Sequence, residues 1–257
     1  MFSQEDRCIY KSNPIGEVIC QLRFPDILAI GANLPVAFQD AIRDEFPRYS
    51  ATMETPPPMP GNPGSKPPSV INYQFVSADG MWKVNLTPSF ISLACAKYTC
   101  WEDFAKKLDK PLAAFIKLYK PAHFDRIGLR YVNFISRKAL GLEDVPFRDL
   151  IESCYLGPLA EDDVIESGVN RSTVDLEMAF RGCHVKLHAG PGRIQRNGQP
   201  QQDPELKFIF DQDLFMAGNI PVNMSVGALN TLHLHAFSIF RGAITNQLHK
   251  AMEPENI

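Results

Sequence analysis

Apolar and polar residues alternate over positions 15–24. Val18, Cys20, Leu22 and Phe24 share one side and Glu17, Gln21 and Arg23 the other, with Ile19 as the exception. Period two of this kind predicts a half-buried strand, which Pro25 closes. Leu34, Phe38, Ala41, Ile42 and Phe46 then recur at helical spacing, with Asn33 as cap candidate and Pro35 in the first turn. Strands follow over 70–76, 82–86 and 90–96, joined by Ala78-Asp79-Gly80 and Thr87-Pro88-Ser89. Turns this short predict an antiparallel meander. Trp101, Phe104, Leu108, Leu112, Phe115 and Leu118 return to helical period. Thr99 and Glu102 form a capping-box pattern before them, and Pro111 predicts a kink or break.

The order then repeats. Residues 126–135 read as a strand and 145–151 as a short helix. Residues 172–180 and 183–189 alternate cleanly on either side of an Arg181-Gly182 turn, and 206–210 is another strand. One long helix is predicted over 226–251, carrying Leu229, Leu232, Ala236, Phe240, Ile244 and Leu248. The fold class is therefore α+β. Two similar β-α-β-β-β-α halves, 1–122 and 123–257, are expected to form an antiparallel, joined and curved sheet. Helices pack on one of its faces and the other stays open. The first half holds a proline-rich loop at 47–69, the second a polar loop at 190–204.

Composition narrows this picture only a little. The 257 residues are enough for a sizeable core, and the 45% hydrophobic and 21% charged content is ordinary for a folded chain. The formal charge of -3 lacks the basic excess of a protein that coats nucleic acid. No apolar run is long enough for a membrane span, and residues 1–10 lack the apolar core of a secretory signal. A cytoplasmic location follows as the expectation. The six cysteines form no C-x-x-C pair and read as free thiols, so neither metal nor cofactor is expected.

Candidate chemistry falls on the open sheet face. Period two places Glu17, Arg23, Lys83, Arg130, Asp175, Glu177, His184 and Lys186 there as ligand- or partner-binding candidates. Arg193 in the polar loop joins them, and Asn133 lies on the same strand as Arg130 but faces the other way. Arg130 needs solvent or a carboxylate partner. His184 and His188 are four residues apart in a strand, about 13 Å by strand rise, which is too far to share one metal ion. Asp175 and Glu177 stand about 7 Å apart on one face. That separation suits paired-carboxylate hydrolysis, and equally suits cross-strand pairing with Lys186 or His184. None of the familiar phosphate-loop, dinucleotide, nucleophile-elbow or zinc-protease motifs occurs.

Three motifs carry a resemblance. They are Asn13-Pro14-Ile15-x-Glu17-Val18, Ile127-Gly128-Leu129-Arg130-Tyr131-x-Asn133, and Leu232-His233-x-x-x-Phe237 with Ile244 beyond it. Together they resemble an uncharacterised family of prokaryotic chains of about this length, distributed sporadically among bacteria and archaea and without an assigned reaction. The resemblance implies an accessory role, such as defence against mobile elements, and transfers no catalytic residue. The expected function is a non-enzymatic binding or assembly protein whose partner is another protein or a second copy of itself. The alternative is recognition of DNA or RNA through Lys83, Arg130, Lys186, Arg193 and Arg196.

Overall fold

The computed structural model describes residues 1–55, 69–194 and 203–256. Among them the chain forms eleven strands and six α-helices in a mixed α+β arrangement. The strands are β1 (Cys8–Tyr10), β2 (Ile15–Arg23), β3 (Arg48–Glu54), β4 (Val70–Val76), β5 (Trp82–Leu86), β6 (Phe90–Cys95), β7 (Phe124–Ile135), β8 (Val174–Phe180), β9 (Cys183–Gly192), β10 (Lys207–Ile220) and β11 (Pro254–Asn256). The helices are α1 (Leu28–Ala32), α2 (Val36–Ile42), α3 (Trp101–Tyr119), α4 (Phe147–Leu150), α5 (Ser225–Arg241) and α6 (Asn246–Ala251). Nine strands pair in the order β3-β4-β5-β6-β2-β7-β10-β9-β8, mostly antiparallel, in a sheet that does not close. β1 and β11 make a separate ribbon.

The chain forms two compact units, one comprising Met1–Val18, Leu129–Phe215 and Asn230–Ile257, the other Ile19–Gly128 and Met216–Leu229. In the latter, Phe38 meets Phe75 edge-on at 5.4 Å and Phe24 meets Phe115 at 4.6 Å. Helix α3 runs unbroken through Pro111, against the expected interruption. Five large side chains on its inner face are buried: Trp101, Phe104, Leu108, Leu112 and Phe115. At about 1.5–3 kcal/mol each, they outweigh the roughly 3 kcal/mol that an interior proline costs a helix.

Residues 48–54, read as the start of the proline-rich loop, form β3. All seven are exposed, so no alternation of buried and open positions marks the strand in the sequence. It pairs with β4 from Arg48↔Val76 to Glu54↔Val70. The proline-rich residues 56–68 lie outside the described residues, as does 195–202 of the polar loop.

In the other unit β8 and β9 form a two-residue hairpin. Arg181 and Gly182 have φ of 46° and 83°, the positive pair that a type I′ turn requires. Strand β10 is fourteen residues long and does not end near Phe210 as expected. Its inward set is Phe208, Phe210, Gln212 and Leu214, and the buried Gln212 hides the alternation. The predicted long terminal helix is two helices. Gly242 lies where a Cβ would stand 2.4 Å from the Met1 carbonyl oxygen, and Ile244 bridges to Ile151 in extended form. Thr245 then caps α6. The N-terminal residues lie along α5. Ser3 exchanges hydrogen bonds with Ser238, and the buried Arg241 donates to both carboxylate oxygens of Glu5 at 2.8 and 2.9 Å.

Candidate functional site

The polar face of β8, β9 and β10 is organised in cross-strand rows. Each of these strands alternates, and their registers align, so every second residue stands beside its counterparts on the neighbouring strands. Asp175, His188 and Asp211 form one row. Glu177, Lys186 and Asp213 form the next. Ala179, His184 and Phe215 form a third, in which the His184 ring stacks on Phe215 at 5.0 Å and 19°. The second row alternates in charge across the strands, which is the arrangement that stabilises antiparallel neighbours.

The polar contacts follow the rows. Lys186 Nζ donates to Glu177 Oε1 at 2.9 Å. His188 Nδ1 lies 2.6 Å from Asp175 Oδ1. Arg130, on β7, grips Asp211 with two nitrogens: Nε donates to Oδ1 at 2.8 Å and Nη2 to Oδ2. Hydrogen bonding to Asp211 is the main cause that holds the Arg130 guanidinium above its ordinary value; Asp213 and Glu17 add to it by charge. A fork-to-carboxylate bond of this kind fixes direction as well as charge.

These side chains line an open hollow of about 250 Å³, with Arg130, Asp175, Glu177, Lys186, His188, Asp211 and Asp213 supplying its polar groups. An adjoining hollow of about 280 Å³ is lined by Glu177, Lys186, His184 and Phe215 among others. The first hollow holds four carboxylates against two permanent cations, and neither hollow presents a hydroxyl or thiol nucleophile. Among the described residues no group of three or more His, Cys, Asp or Glu side chains is placed to hold a metal ion. Such a surface can bind a polar, cation-bearing ligand by exchanging ion-pair partners.

Of the residues singled out from the sequence, Arg130, Asp175, Glu177 and Lys186 come together here, and His184 lies one row along. Glu17 is near enough to act electrostatically on Arg130. Asn133 is turned into the core, where its amide donates to the Phe210 carbonyl at 2.9 Å. Arg193 stands exposed beyond β9, its Nε directed at the Pro204 carbonyl at 3.4 Å. Arg23 and Lys83 belong to the other unit. There Arg23 donates to Gln21, and Lys83 is half-buried opposite Val76 and Ala94. Arg196 lies outside the described residues. Asp211, Asp213 and His188 complete the hollow. Extending the alternation of Phe208 and Phe210 to Leu214 places both aspartates on the polar side.

No protein-family model matches the chain, and no curated protein matches it. Among the described residues no helix is long and apolar enough to cross a membrane.

Proposed function

We propose that this protein is a non-enzymatic binding protein that uses the polar face of β8–β9–β10 to hold a protein partner presenting basic side chains. One observation carries the reading: four carboxylates and two permanent cations share a single open hollow, and both cations are paired with carboxylates in it. An incoming Lys or Arg meets an acidic excess there. An incoming phosphate must displace Asp211 from Arg130 or Glu177 from Lys186, which disfavours the nucleic-acid reading on this face. Complementary charge of this kind favours encounter and register more than raw affinity.

The strand order supports an internal duplication. Outward from β2 the neighbours are β6, β5 and β4, and outward from β7 they are β10, β9 and β8. Each run is then a strand, a helical segment, a meander and a long helix; β3 in the large sheet, and β1 and β11 outside it, have no counterpart. The sequence motifs resembling a sporadically distributed prokaryotic family support an intracellular accessory role, such as defence against mobile elements.

Fluorescence anisotropy with three probes tests the reading: an extended Lys/Arg-rich peptide, duplex DNA and single-stranded RNA. The peptide is expected to bind, to weaken as salt rises, and to weaken further with Glu177→Gln combined with Asp213→Asn. Binding of DNA or RNA with a steep salt dependence, or no peptide binding at low salt, would overturn it.

A further inference from the structure

We propose that the outer edge of β3 is a self-association surface, where β3 of a second copy pairs antiparallel about Ala51. The inference stands apart from the reading of the polar hollow and rests on different residues.

Among the described residues β3 is the last strand at its end of the sheet order, and β4 occupies one side of it. Alternate residues of such a strand direct their N–H and C=O groups away from the sheet. Edge strands are normally blunted by charges, proline or a bulge in mid-strand. The middle of β3 reads Tyr49-Ser50-Ala51-Thr52-Met53, with no charge, proline or glycine. Its seven residues offer an edge of about 24 Å.

The sequence of β3 is complementary to itself. Antiparallel pairing about Ala51 sets Arg48 opposite Glu54 of the second copy, and Glu54 opposite its Arg48. Ser50 falls opposite Thr52, and Tyr49 opposite Met53. The faces agree as well. Ser50 and Thr52 stand beside Gln74 and Asn72 on the polar side, while Tyr49 and Met53 stand beside Phe75 and Ile71 on the other. A slip of one residue would put every side chain on the wrong face.

An apolar receptor lies next to this edge. Leu34, Val36 and Tyr49 are 65%, 57% and 43% exposed. With Pro35, Gln39 and Phe75 they line a cavity of about 60 Å³. Met53, 66% exposed, is a flexible apolar side chain able to fill an irregular gap. In the proposed pairing Met53 of the second copy arrives about 5 Å from Tyr49, at the mouth of that cavity. The contact is isologous, so it closes after two chains and does not propagate.

Sedimentation equilibrium on the full chain over a concentration series tests the pairing. The wild type is expected to dimerise reversibly. Arg48→Glu alone sets Glu against Glu at both ends of the pair, and Glu54→Arg alone sets Arg against Arg. Each is expected to weaken the dimer about tenfold. Mixing the two single variants restores opposite charges at both ends and is expected to give a heterodimer of wild-type strength. Met53→Asp is expected to abolish dimerisation, while Met53→Leu preserves it. Unchanged thermal unfolding midpoints at concentrations where each variant and the wild type are monomeric separate these effects from misfolding. A wild type that stays monomeric at every concentration overturns the proposal. So do single variants that dimerise like the wild type, or a mixture that fails to recover.

Discussion

Strands β3 and β8 stand at the two ends of one sheet order and are both seven residues long. β8 carries Asp175 and Glu177 on its polar side, each engaged by a partner on β9, and half-buries Val174, Leu176 and Met178 on the other. β3 exposes all seven residues and keeps charge only at its ends. The difference teaches what each edge can do. Mid-strand carboxylates make β8 a poor template for another strand and give its face the charged groups on which the proposed recognition rests. Among the described residues no strand lies on the outer side of β3; its uncharged middle suits the proposed pairing, in which the terminal charges specify the register.

The largest expected effect comes from removing the packing behind the charged edge. Leu187 is 3% exposed and sits between Leu176 and Gln212. Leu187→Ala is expected to cost about 2–5 kcal/mol in denaturant unfolding and to weaken peptide capture with it. Ala51→Thr, in the exposed β3, is expected to stay within about 0.5 kcal/mol. Equal effects would erase the distinction between a supported and a free edge. The tenfold changes expected for Arg48→Glu and Glu54→Arg come next; Glu54→Arg also removes the hydrogen bond that Glu54 accepts from the buried Asn72 at 2.7 Å.

A smaller effect of opposite sign is expected at Gln212. Its Nε2 donates to the Ala236 carbonyl at 3.3 Å, but its buried Oε1 has no hydrogen-bond partner among the described residues. Gln212→Met removes that unsatisfied acceptor and is expected to stabilise the fold by about 1 kcal/mol. Behind the β8–β9 turn, His235 packs edge-on against Phe180 at 5.2 Å. Burial, and then the charge of Arg181, push the His235 value below the ordinary one. A depressed histidine is neutral in the folded state while the unfolded chain takes up the proton. Its contribution is therefore intact above the unfolded value and is lost as pH falls from there toward the folded one. Thermal melts between pH 7.5 and 5 are expected to show a declining midpoint that His235→Phe makes shallower, the rest of the decline coming in part from His249, which burial also pushes below its ordinary value. The smallest effect is expected at Glu177–Lys186, whose side chains are 73% and 53% exposed. A double-mutant cycle is expected to give about 0.5 kcal/mol or less, so this pair adds little to stability.

Much of the sheet was legible because burial on one side writes period two into the sequence. The alternation of Val174, Leu176, Met178 and Phe180 fixed both the strand and the side to which Asp175 and Glu177 belong. Arg130 was legible as a charge in need of a partner, although not as the partner of Asp211. That aspartate lay beyond Phe210, where the buried Gln212 interrupts the apolar positions. β3 was illegible for the opposite reason: a strand exposed on both sides has no buried positions to alternate. The division of the last helical region depends on Gly242 passing close to the Met1 backbone, a contact that local periodicity does not encode. The cross-strand rows that build the hollow arise from register, which joins residues far apart in sequence.

Hydrogen–deuterium exchange on the full chain at two protein concentrations tests the contrast between the edges most directly. Amides of Arg48–Glu54 are expected to gain protection as concentration rises, while those of Val174–Phe180 exchange at the same rate in both samples. Protection of β3 that ignores concentration, or a concentration response confined to β8, would contradict the account.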